Sequence, residues 1–217
     1  MSSRLVTVVL LVGLSYNLLA VAPRIANWRL PGDHTDYEPA QPVAFSHRVH
    51  AGELQVACLY CHFGAERSRH AGIPPLNVCM NCHRFVTAPI GAVRAEDVLA
   101  VKENRRPLRI VSPEIAKIYR ALGLGDNLAP DPARTPEPVA WITVHNLPDF
   151  VYFDHRPHVA AAVTCQTCHG PVETMERVRQ VQALTMGWCV NCHRDATRRG
   201  VADRSANASI DCVSCHF

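Results

Sequence analysis

All ten cysteines of this 217-residue chain fall into one repeated pattern, Cys-x-x-Cys-His. The five copies are Cys58/Cys61/His62, Cys79/Cys82/His83, Cys165/Cys168/His169, Cys189/Cys192/His193 and Cys212/Cys215/His216. No thiol is left over for a disulfide framework or for a lipid-bearing cysteine near the N-terminus. Zinc ribbons use such pairs two at a time, so five would strand one, and they need no histidine after every pair. A thioredoxin-like dithiol occurs once in a fold, not five times. The pattern is instead the attachment signature of c-type haem. Two thiols three positions apart add to the two vinyl groups of one porphyrin, and the next histidine lies under the iron as proximal ligand. The expected cofactors are five covalently bound haem c, on these ten cysteines, with His62, His83, His169, His193 and His216 as proximal ligands.

Five porphyrins constrain the fold. Roughly 190 residues follow the apolar N-terminal segment, or about 40 per haem, too few for a large side-chain core. The expected fold class is mostly irregular, with short α-helices and turns wrapped around haem. One segment without cysteine does carry a clear helix signal. In Ser112 to Gly123, Ser112 suits an N-cap, Pro113 the first turn, and Ile115, Ile118 and Leu122 share a face.

The N-terminal run Leu5 to Ala22, LVTVVLLVGLSYNLLAVA, is largely apolar and flanked by Arg4 and Arg24. As a helix, 18 residues span roughly 27 Å, about the thickness of a bilayer core. The rival is a cleaved signal peptide, with Ala20-Val21-Ala22 as its cleavage site. The length of the run and Pro23 directly after that site favour an uncleaved transmembrane anchor. Haem c is attached outside the cytoplasm, so the expected location is the bacterial inner membrane with the haem region on the periplasmic side. Arg4 then stays inside, and Trp28 could mark the outer interface.

The chain also repeats itself. Phe45-Ser-His47-Arg-Val-His50 aligns with Phe153-Asp-His155-Arg-Pro-His158. His47 precedes Cys58 by 11 positions and His155 precedes Cys165 by 10. The second motifs match too, VCMNCHR with WCVNCHR. The expected organisation is an anchor at 1–25, a first two-haem module at 26–90, a connector at 91–139, and a second two-haem module with the fifth motif at 140–217. His47/His50 and His155/His158 are i, i+3 pairs that share a face on a helix. Duplicated just upstream of haem cysteines, all four are candidate distal ligands. The fifth distal ligand stays open between His145 and Met186; a methionine there would raise that haem's potential.

Phe-x-His-x-x-His followed by Cys-x-x-Cys-His resembles the small multihaem cytochromes of class III. That resemblance implies that His47 serves the haem of Cys58/Cys61 and His155 that of Cys165/Cys168. His50 and His158 would then reach neighbouring haems, most simply those of Cys79/Cys82 and Cys189/Cys192. Longer stretches, AGIPPLNVCMNCHR, VHNLPDFVYFDHRPHV, CQTCHGPV and LTMGWCVNCHR, resemble the pentahaem cytochrome subunit of alternative complex III. This second resemblance implies an electron-transfer subunit without substrate chemistry of its own, in a membrane-bound quinol-oxidising complex. The implied partners are an iron–sulfur/molybdopterin-like subunit, integral membrane quinone-binding subunits and a monohaem cytochrome or oxidase that takes the electrons.

Two other functions compete. A multihaem reductase needs one haem with a vacant position beside acid and base groups. A free-standing membrane-anchored quinol dehydrogenase needs a complete quinone site near its single anchor. The net charge of +3 is small and dispersed, which argues against nucleic acid as a partner.

Overall fold

The computed structural model describes residues 7, 8, 10–17, 19 and 33–216. Among these residues there is no strand longer than an isolated bridge, such as Val151 with His216. A π-helical turn, Arg48–Glu53, is followed by α1 (Cys58–Cys61), α2 (Gly64–Arg67), α3 (Leu76–His83), α4 (Ile90–Lys102) and α5 (Pro113–Ala121). The second half holds α6 (His155–Ala160), α7 (Cys165–His169), a 3-10 turn at Val172–Thr174, α8 (Met186–Arg199) and a last 3-10 turn at Cys212–Ser214. The mostly helical and irregular class therefore holds.

The described residues near the N-terminus, 7, 8, 10–17 and 19, are helical. No helix among the described residues is long and apolar enough to cross a membrane, so the expected transmembrane helix finds no support there. The remainder of the 1–25 anchor, and Trp28, lie outside the described residues.

The side-chain core is small. Its buried apolar members are Val43, Ala65, Ala100, Ile118, Tyr119 and Met175. Tyr119, fully buried on α5, donates its hydroxyl to the carbonyl of His83 at 2.6 Å. Ser112 caps α5 by accepting from the Ile115 amide at 3.4 Å, and Gly123 beyond its end takes φ +70°. Tyr119 thus fixes the end of α3, and with it the second haem motif, to the connector.

Helix α4 was not anticipated. Its 13 residues include three alanines with Arg94, Glu96, Leu99 and Lys102, good helix formers behind Pro89 at the N-cap. Nearly buried Glu96 on α4 bonds the Arg105 guanidinium and accepts from the Leu108 amide at 2.7 Å, which folds the following loop back onto the helix.

The two halves interlock. The π-helical turn of the first half packs against Val172–Thr174, just after the third Cys-x-x-Cys-His. In return, α6 of the second half packs against α2, just after the first. The backbone repeats the exchange. Arg48 donates its amide to Met175 at 2.9 Å, and His155 donates its amide to Arg69 at 3.2 Å. The extra residue between His47 and Cys58 is absorbed in the π-helical turn, where i→i+5 bonding such as Leu54 to Val49 replaces α-helical spacing.

Candidate haem sites

Each Cys-x-x-Cys lies in a helical turn, which brings positions i and i+3 to one side of the backbone. None of the ten thiols is in a disulfide. The thiols of different motifs lie next to one another. Burial raises the Cys61 thiol, and neighbouring Cys82 adds to the shift. Burial and then Cys61 raise Cys79. Burial and then Cys58, to which it is hydrogen-bonded, raise Cys165. Burial pushes Cys168 up to about 11, with Cys192 beside it. Burial and then Cys215 raise Cys189. Neighbouring thiols therefore relate the motifs in one order: second, first, third, fourth, fifth.

The histidines meet in twos. The rings of His47 and His62 face each other with centroids 6.4 Å apart and planes 5° from parallel. His155 and His169 repeat this at 6.4 Å and 6°. His50 and His83 stand 6.0 Å apart at 61°, and His158 and His193 stand 6.0 Å apart at 38°. One iron with an imidazole nitrogen on each side puts the nitrogens about 4 Å apart and the ring centroids about 6 Å apart. The spacing of all four pairs fits that requirement. Among the described residues no cluster of three or more His, Cys, Asp or Glu side chains is placed to hold a metal ion without a macrocycle.

The other face of these rings is also suited to iron. The Nδ1 atoms of His50, His62, His83, His155, His158, His193 and His216 lie 2.5–3.3 Å from backbone carbonyls of Ser46, Gly72, Val86, Arg69, Asp154, Ser209 and Phe150. A carbonyl can only accept, so each Nδ1 carries the proton and each Nε2 keeps a free lone pair. Burial, then His62 and His50, lowers His47 to about 4. Burial, then His145 and the other nearby imidazoles, lowers His169 to about 3. These rings are neutral, as metal-binding imidazoles must be. His47 Nδ1 is buried without a partner.

Phe45 and Phe153 hold the distal pairs. Phe45 sits edge-on to His47 at 4.8 Å and stacks on His50 at 4.3 Å. Phe153 likewise sits edge-on to His155 and lies tilted by 33° against His158, at 4.8 Å each.

The fifth motif differs. The ring against His216 is that of Phe150, at 5.8 Å. Neither candidate for the fifth distal position is drawn there by its contacts. His145 lies against His169, with Nε2 3.3 Å from the His169 Nδ1. Met186 is the first residue of α8 and is 67% exposed. The contact of His145 with His169 joins residues 24 positions apart, which no local spacing signals.

Comparison with known proteins gives two matches. Residues 151–217 match the family of cytochrome c7 and related cytochrome c. The multihaem cytochrome c subunit of menaquinone reductase from Nitratidesulfovibrio vulgaris (strain Hildenborough) is 24% identical, covering 91% of this chain and 86% of that protein. With the five motifs, these matches make the chain a multihaem c-type cytochrome with covalently bound haem c.

Proposed function

We propose that the chain carries five haem c and relays electrons as a subunit of a membrane-bound, quinone-linked oxidoreductase complex. The observation that carries this reading is the set of four facing imidazole pairs at 6.0–6.4 Å. The ten motif cysteines hold the porphyrins, and His62, His83, His169, His193 and His216 are the proximal ligands. His47 pairs with His62, His50 with His83, His155 with His169, and His158 with His193. When bound, each haem supplies a one-electron redox centre.

The chain's own residues do the rest. The Phe45 and Phe153 segments each supply distal ligands to two adjacent motifs and so fix their separation. The Cys58–Cys165 contact joins the halves. The neighbouring thiols support a single row of five sites, with the Cys79/Cys82 motif at one end and the Cys212/Cys215 motif at the other. A two-ended row suits a conductor between two partners.

The named relative and the resemblance to alternative complex III both favour quinone chemistry in neighbouring subunits. The partners on this reading are an iron–sulfur/molybdopterin-like subunit, integral membrane quinone-binding subunits and a monohaem cytochrome. The apolar sequence of residues 5–22 supports membrane attachment with residues after 24 on the periplasmic side of the bacterial inner membrane.

The test is a native gel of mildly solubilised membranes, stained for haem, with the haem band identified by mass spectrometry. A large band containing quinone-binding partners, with five haems on this chain by intact mass, is the expected result. A haem band near the mass of the chain alone would reject the complex and favour the free-standing dehydrogenase.

A further inference from the structure

The interlocked halves allow equivalent residues to be compared, and two pairs differ: His155 donates its Nδ1 proton to the Arg69 carbonyl where His47 Nδ1 is buried without a partner, and the proximal residues differ as well. His62 and His169 are the proximal residues of the first and third motifs, both in near-parallel ring pairs. His62 turns its Nδ1 to a backbone carbonyl, that of Gly72, at 2.7 Å. His169 turns its Nδ1 to a side chain, the His145 imidazole. The His145 and His169 rings meet edge to face, with centroids 4.3 Å apart at 78°.

The segment carrying His145 is held in place. Gln41, just ahead of the first repeat, both donates to the Ile142 carbonyl and accepts from the Ile142 amide, each at 2.9 Å. Val151 donates to the Pro148 carbonyl at 2.9 Å. His145 is therefore fixed from both sides in sequence.

We propose that His145 is a positioning residue for the third haem site, accepting the His169 Nδ1 proton at its Nε2 and thereby fixing the ring plane and electron-donating strength of that ligand. The inference rests on His169 being an iron ligand through Nε2. With Nε2 so engaged, the neutral His169 ring has its proton on Nδ1, and the donor and acceptor roles in the contact are settled. An imidazole nitrogen is a stronger base than a peptide carbonyl. It draws the shared proton further, leaves His169 more electron-rich and favours the ferric state. The third site is thereby set to a lower potential than it would have with a backbone carbonyl at the His169 Nδ1.

The test uses the full-length holoprotein carrying His145→Phe or His145→Gln, followed by optical redox titration and electron paramagnetic resonance. In His145→Phe, one haem shifts to higher potential, its resonance changes as the His169 ring is freed to turn, and the others stay put. In His145→Gln, whose amide oxygen can accept, both properties return towards wild type. A His145→Phe titration that superimposes on wild type, or an equal shift of all haems, overturns the proposal. If His145→Phe does not mature, the wild-type protein decides. In the reduced, diamagnetic state with 15N-labelled histidine, a nitrogen–nitrogen coupling across the shared proton is expected, and its absence overturns the proposal. A high-spin haem at the third site of the wild type would instead reject His169 and His155 as its ligand pair.

Discussion

The four facing imidazole pairs differ in mutual tilt, and tilt has a spectroscopic consequence. Near-parallel planes, as in His47/His62 and His155/His169, split the two iron orbitals that overlap the ring π-systems. Planes 61° apart, as in His50/His83, leave those orbitals nearly degenerate. Electron paramagnetic resonance of the oxidised protein should therefore show ordinary rhombic low-spin signals together with one of very large maximal g. His50→Met should remove the large-g signal and raise one midpoint potential, since methionine ligation favours the ferrous state. A second prediction concerns acid. Glu96 is held below its ordinary value of 4.5 by its hydrogen bond to Arg105 and then by the Leu108 amide. A carboxylate with a depressed folded pKa contributes stability above its unfolded pKa, and that contribution disappears as pH falls through the folded value. Glu96→Gln should therefore melt lower than wild type at pH 7, with the gap closing below about pH 4.5. A gap independent of pH in thermal melts would contradict this.

At the scale of elements, the repeat carries most of what a reader of the sequence could extract. His47, His50, His155 and His158 stood out because the same short segment occurs twice with phenylalanine two positions ahead. Helix α5 stood out because Ser112, Pro113 and Gly123 mark its ends. What stayed hidden was non-local. Helix α4 lacks a strong apolar stripe and is tied down by the Glu96–Arg105 pair, which sequence spacing does not announce. The one-residue difference between the repeats was visible, but its absorption in a π-helical turn was not. That turn has a weak point. A Cβ on Gly52 would sit 2.3 Å from the carbonyl oxygen of Glu173, so the turn and the 3-10 segment cannot both keep their places. Gly52→Ala should cost about 1–3 kcal/mol of stability, read from thermal melts of the holoprotein.

For the whole molecule, the scarcity of buried side chains sets the expectation. With Tyr119 and Gln180 the largest fully buried side chains, the polypeptide supplies little of its own core. Chain made without haem attachment should show little helical circular dichroism and be digested rapidly by protease. A stable, protease-resistant apo-chain would contradict this. The row of sites makes a second prediction. The third motif lies in the middle, beside the first and the fourth. His155→Met should raise the potential at that point, trap electrons there and slow passage between the two ends in stopped-flow measurements. Retained end-to-end speed would show that the row is bypassed.

The exchanged contacts have a consequence in time. The Arg69 carbonyl receives both the backbone amide and the Nδ1 proton of His155, at 3.2 and 2.8 Å, while Arg48 waits for the carbonyl of Met175. During synthesis, residue 69 is made long before residue 155, and residue 48 long before residue 175. The leading half is thus made with an acceptor already in place for a segment not yet made, and with a donor that must wait. A chain interrupted before Met175 should stay open to proteases however many of its early thiols have been loaded. Completion of the second half would then be the event that licenses the first.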